Sequence, residues 1–319
     1  MGSSFGEATR QSLVVMKNEI KKYFSGKRMF VFMALLGIIV FVIVFAPYLL
    51  SSNGKANPVY FVMMSALVVL MASTLFASIS IVSEYEERTA LIVFTRPIRK
   101  TSIFIGKALA CIVLTIAFTA LYYLIAIVVS AVVNGSVSGD LLVSFGLSCA
   151  YAFGTIGIAM FVSSIMKKGS TATIITFVIL AIIITAFSLV LNAANVDASW
   201  MIDQAAGSIE TCSSDYREMT NEAIDGLINA LIDPSTFIHF DQFAVNVDTY
   251  LHFSTTPEML KYALVPNIDE SAWDLSVLAN SMGAMEVKEP DYLHDTIVMI
   301  VWGAVGMIAA FVAFLRREF

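Results

Sequence analysis

The chain has 319 residues, of which 58% are hydrophobic and only 14% charged, with a formal net charge of −6. Soluble domains carry about 25% charged residues, so this composition excludes a soluble domain and indicates a polytopic membrane protein. The acidic balance excludes nucleic-acid binding as a main role.

Residues 1–28 form a charged N-terminal stretch. Within it, Thr9 to Phe24 is predicted to be a helix lying on the membrane surface. Leu13, Met16, Ile20, Tyr23 and Phe24 fall on one arc at helical spacing, with Lys17 and Lys21 along its edge and Lys22 behind. Ser25-Gly26 is a natural break before the first apolar run. The stretch is long and amphipathic, and no small-residue cleavage site follows, so no cleavable signal peptide is expected.

About 20 apolar residues cross the hydrocarbon core, and six runs reach that length: Phe30–Leu50, Val59–Val82, Ile103–Val133, Leu141–Met166, Thr171–Leu191 and Thr296–Leu315. The expected fold is therefore an all-α polytopic membrane protein with six transmembrane helices, the first five within residues 29–191 and the sixth in 296–319. The run at 103–133 exceeds a bilayer's needs and is expected to tilt or project. Short turns rich in Gly, Asn and Ser join spans one and two (Ser51–Pro58) and spans three and four (Asn134–Asp140). The second includes a glycosylation sequon, Asn134-Gly135-Ser136.

Basic residues sort by side. With the N-terminus inside, 15 of the 19 Lys and Arg lie in inner segments, and only Lys55, Arg217, Lys261 and Lys288 lie outside. The positive-inside rule then places both termini in the cytoplasm of a cell whose plasma membrane holds the chain.

Residues 192–295 form the large outer segment, with 18 Asp and Glu against 3 Lys and Arg. Its length and patterning predict a small acidic helical domain. Tyr216 to Ile232 is periodic and stops before Pro234, Thr256-Pro257-Glu258 starts another helix, and Asp269 to Asn280 is a third. Cys111 and Cys149 lie in spans and Cys212 is alone outside, so no disulfide framework within one chain is expected. His239, His252 and His294 sit near Asp241, Asp291 and Asp295, but no pair has ligand spacing, and no metal site is expected.

The inner loop between spans two and three carries the chemistry. It runs from Ser83 and Glu84 through Glu86-Glu87-Arg88-Thr89, an apolar Leu91–Phe94, then Arg96-Pro97-Ile98-Arg99-Lys100, and reaches Gly106-Lys107. The acidic start suits a helix N-terminus. Leu91 and Phe94 are too apolar for a free loop, Arg96-Pro97 breaks the helix, and Lys107 anchors the start of span three. The result is a short helix presenting charge and apolar contact to a partner.

This ordered segment resembles that of ABC-2-type permeases, the type V exporter architecture. The resemblance implies that Glu84, Glu86, Glu87, Arg88, Thr89, Leu91, Phe94, Arg96, Pro97, Arg99 and Lys100 belong to a coupling helix docking on a separate ATPase subunit. It likewise implies that Leu13, Met16, Lys17, Ile20, Lys21 and Phe24 form the elbow helix against membrane lipid. Arg88 departs from the family, which usually has glycine there. The chain has no phosphate-binding loop of the Gly-x-x-x-x-Gly-Lys-Ser/Thr type, so this chain is expected to be no enzyme and to bind no cofactor, ATP and Mg residing on the partner. A second permease copy or paralogue is implied.

The membrane cores of the spans are expected to lack ionisable residues, which argues against an ion-coupled carrier. Their polar atoms are hydroxyls, including Ser73, Thr74, Ser78, Thr119, Tyr123 and Thr155. Gly146, Ala150 and Gly154 make a small-residue stripe that lets another helix approach closely. The reading is an exporter permease; the alternative is a membrane anchor or scaffold presenting the acidic outer domain. No feature selects the substrate.

Overall fold

The computed structural model describes residues 2–50, 58–86, 100–135, 137–194, 196–232 and 289–316. Among these the regular structure is helical, without strands. In chain order the helices are α1 (Gly2–Ser25), α2 (Lys27–Leu50), α3 (Pro58–Ser80), α4 (Val82–Glu86), α5 (Lys100–Asn134), α6 (Asp140–Ile165), α7 (Gly169–Val178) and α8 (Ile184–Ala193). They are followed by α9 (Ile202–Ala206), α10 (Ser208–Thr211), α11 (Ser214–Ile232) and α12 (Tyr292–Arg316).

Among the described residues, five spans, formed by α3, α5, α6, α7–α8 and α12, are long and apolar enough to cross a membrane. A sixth follows when the bent pair Gly6–Ser25 and Met29–Phe45, 67° apart, counts as one. The bend falls at Ser25-Gly26, where the sequence has its break. At 1.5 Å per residue the 35 residues of α5 reach about 50 Å, well beyond a hydrocarbon core of about 30 Å. The turn after α5 uses Gly135 at φ +69°, a conformation that glycine adopts without a Cβ penalty.

Span five is not a continuous α-helix. Ile179–Ile183 forms a π-helical turn between α7 and α8. It lies in a run of β-branched residues, Ile179 to Thr185 broken only by Leu180 and Ala181, which crowd the preceding turn. π-Helix is rare and occurs mostly as single turns of this kind inside α-helices.

Two compact units divide the chain: Met1–Ser213 with Pro290–Phe319, and Ser214–Glu289. In the first, two apolar clusters form the core. One is aromatic: Phe32, Phe76 and Phe118 meet with ring centroids 5.0–5.5 Å apart, joining α2, α3 and α5. The other joins α3, α5, α6, α9, α10 and α12 around Ile156, Met160, Ile202 and Met299. Residues 196–213 thus pack with the helix bundle, and Trp302 Nε1 donates to Trp200 O at 2.9 Å. In the second unit the described structure is α11, which spans the periodic segment that ends before Pro234. The helices expected after Thr256 and after Asp269 lie outside the described residues.

Large apolar side chains stay exposed along the spans, among them Phe30 (72%), Leu142 (65%) and Leu189 (64%), as lipid contact requires. Most hydroxyls bond locally to their own helix: Ser73 to Leu70 O, Thr119 to Thr115 O and Thr155 to Tyr151 O. A few cross between helices. Tyr23 donates to Phe76 O at 2.7 Å, Tyr122 donates to Phe61 O at 2.7 Å, and Tyr123 lies 2.7 Å from Ser144 and 2.9 Å from Ser148.

Candidate functional site

The Ser80 end of α3 is where polar bonds from many elements converge. The helix breaks at Ile81 and restarts as α4, and amide groups at a helix start lack acceptors in their own helix. Here the N–H groups of Ile81 and Val82 donate to Ser163 Oγ of α6, at 3.1 and 3.2 Å. The side chain is wholly buried. Ser163→Ala is therefore expected to destabilise the protein by about 2 kcal/mol, the usual range for a buried donor left unsatisfied being about 1–3 kcal/mol. Thermal unfolding of the detergent-purified chain checks this.

Glu86, the last residue of α4, accepts from Gly169 N at 2.9 Å. Gly169 opens α7, so the carboxylate sits at the positive end of that helix. A further tie to α7 comes from α3, between Ser78 Oγ and Thr173 Oγ1 at 3.0 Å. Span two is thereby tied to spans four and five by polar contacts.

The strongest feature is Lys107. Its ammonium is 0% exposed and lies 2.9 Å from Glu19 Oε1 of α1 and 2.9 Å from Glu84 Oε1 of α4. It also donates to Ser80 O at 2.6 Å. An ammonium has three donors, and these three oxygens occupy them. The approach of α1 that brings Glu19 into reach depends on Gly106. A Cβ there would lie 2.6 Å from Ser12 O and 2.7 Å from Val15 Cβ, so only glycine lets the α1 backbone sit directly on α5. The Gly106-Lys107 pair thus has a physical meaning: the first residue admits a helix and the second binds its charge.

Lys107 corrects the sequence reading. A membrane-boundary anchor would keep its ammonium in the headgroup region, whereas this one is enclosed by protein, within the run assigned to span three. Glu19 carried no assigned role in the sequence, because its partner Lys107 lies 88 residues away. Ser163 and the glycines of α12 were also not singled out. The spacing Gly303-x-x-Gly306 against Gly154-x-x-Gly157 is a signal that could have marked the last of these.

Of the residues expected in the docking segment, Glu84, Glu86 and Lys100 are placed: Glu84 buried, Glu86 and Lys100 exposed. Glu87, Arg88, Thr89, Leu91, Phe94, Arg96, Pro97 and Arg99 lie outside the described residues. On α1, Leu13, Lys17, Lys21 and Phe24 are exposed, while Met16 and Ile20 are half-buried. The face packed on α5 carries Ser12, Val15 and Glu19. In the small-residue stripe, Gly154 meets Ile202 and Met299 O, Ala150 is half-buried and Gly146 faces open space. His294 Nδ1 lies 3.1 Å from Asp295 Oδ1; His239, His252 and Asp241 lie outside the described residues.

Chemically, the arrangement holds α1, α3, α4, α5, α6 and α7 together through polar contacts. A family model described as ABC-2 family transporter protein matches residues 13–319. No curated protein matches the chain at a significant level.

Proposed function

The chain belongs to the ABC-2 family of transporter proteins, and we propose that it is the membrane-spanning half of an ATP-driven exporter. A separate ATPase subunit would bind ATP with Mg and dock on residues 83–100. A second permease, identical or related, would complete the pathway. The charge sorting along the sequence supports a plasma-membrane orientation with both termini cytoplasmic. In that orientation the Ser80 end of α3 would face the ATPase.

The observation that carries this reading is the position of α4. The 87–99 segment follows a five-residue helix whose amides and carboxylates reach α5, α6 and α7. A push on that segment is passed to every one of these elements. Closure of the ATPases on ATP would move α4, and Glu86 with Gly169 would carry the movement to span five. Spans two and five would then switch between inward- and outward-facing arrangements.

The test is purification in mild detergent with whatever cytoplasmic protein accompanies the chain, and comparison with the Glu86→Ala, Glu87→Ala double variant. A bound ATPase is expected, and its turnover should fall at least fivefold in the variant. Absence of any nucleotide-binding subunit would sink the reading. A scaffold role gains support from the separate unit Ser214–Glu289 and its acidic composition. It makes the opposite prediction: the double variant keeps function and deletion of that unit abolishes it.

A further inference from the structure

We propose that Lys107, Glu19 and Glu84 form a charged clasp that makes α1, α4 and α5 move as one lever, with Glu19 and Lys107 as positioning residues for ATP-driven coupling. The role rests on the reading of residues 83–100 as the docking segment.

Glu84 and Lys107 flank residues 87–99 on either side, and their 2.9 Å contact closes the root of that segment. The same ammonium bonds Ser80 O, a carbonyl in the last turn of α3, where helix carbonyls lack partners of their own. Displacement of the docking segment therefore reaches the ends of α3 and α5 together. Glu19 adds α1 to the same ammonium, across the contact that Gly106 permits.

Burying an ammonium costs several kcal/mol unless it is paired, and Glu84 with Ser80 O supplies one carboxylate and one backbone carbonyl to it. Glu19, 12% exposed, is a second carboxylate on the same ammonium. What Glu19 adds is the link between α1 and the root of the docking segment.

The experiment uses the intact permease with its ATPase in lipid nanodiscs, comparing Glu19→Gln, Lys107→Arg and the native chain. The readout is ATP turnover of the complex relative to that of the isolated ATPase, alongside the unfolding temperature of the permease. Glu19→Gln keeps the Glu84–Lys107 pair, so it is expected to assemble and to unfold within a few degrees of the native chain. Its permease-dependent turnover should change at least fivefold. Lys107→Arg keeps the charge and is expected to retain more than half of the native dependence. Native turnover in Glu19→Gln, with the native complex responding normally, overturns the clasp and leaves the transporter reading standing. Loss of turnover only in step with loss of folding also overturns it, because the residues would then be structural. An ATPase that never associates with the native chain overturns both.

Discussion

Gly157→Leu is expected to force α6 and α12 apart and to remove most of the folded protein from the membrane. These two helices pack along a seam of four glycines. A Cβ on Gly157 would lie 2.4 Å from Gly303 O and 2.9 Å from Gly303 Cα, and one on Gly306 would lie 2.5 Å from the Gly157 carbonyl carbon. A Cβ on Gly303 would strike Phe153, at 2.3 Å from its ring and 2.8 Å from its carbonyl oxygen. Most of the obstructing atoms belong to backbone, which cannot rotate away as a side-chain tip can. Overpacking a core costs about 1–3 kcal/mol where neighbours can adjust, and here they cannot. Gly157→Ala should therefore already lower the unfolding temperature, and Gly157→Leu should abolish a monodisperse peak on size exclusion. Gly146→Leu is the control. Nothing lies within 4 Å of a Cβ there, so its effect should stay within the roughly 0.5 kcal/mol typical of an uninvolved site. A native-like Gly157→Leu protein would refute the close helix packing.

Lys107→Met is expected to destabilise the protein by about 3–5 kcal/mol, the usual cost of breaking a buried ion pair by removing one partner. The two carboxylates left behind repel each other and lose their donor, and Ser80 O loses its bond as well. A compensating variant separates this from coupling. Replacing all three side chains together, as Glu19→Met, Glu84→Leu and Lys107→Met, removes every buried charge from the network. Apolar replacement of buried charged triads is often neutral or stabilising, so the triple variant should recover most of the unfolding temperature. It should not recover permease-dependent ATP turnover, because the directional ties between α1, α4 and α5 are gone. Urea or thermal unfolding of the purified chains measures the first statement, and ATPase assays of the reconstituted complexes the second. Recovery of turnover with stability would show that the network serves packing alone.

The spans were legible because bilayer thickness imposes a length and a composition that survive any tertiary arrangement. The expected run 141–166 is α6 (Asp140–Ile165), and 59–82 holds α3 up to Ser80. The break at Ser25-Gly26 was readable from local backbone preference, as was the end of α11 before Pro234. The π turn at Ile179–Ile183 was not read, since an insertion of one residue into a helix leaves an apolar run just as apolar. Of the small-residue stripe, Gly154 lies against a neighbour and Gly146 does not. Spacing marks a helix face, but which stretch of that face meets another helix depends on the register between two chains of residues far apart in sequence.

The membrane class and the positions of the apolar runs are therefore legible in the sequence alone, because they follow from the cost of placing polar groups in hydrocarbon, residue by residue. The site is different. Lys107 reads as a boundary residue until Glu19 and Glu84, 88 and 23 positions away, are brought within 2.9 Å of it. Only the packing of α1 onto Gly106 does that. A lone charge has the same sequence signature whether it faces lipid headgroups or two carboxylates, and the tertiary structure decides between them through the dielectric and the partners that it supplies.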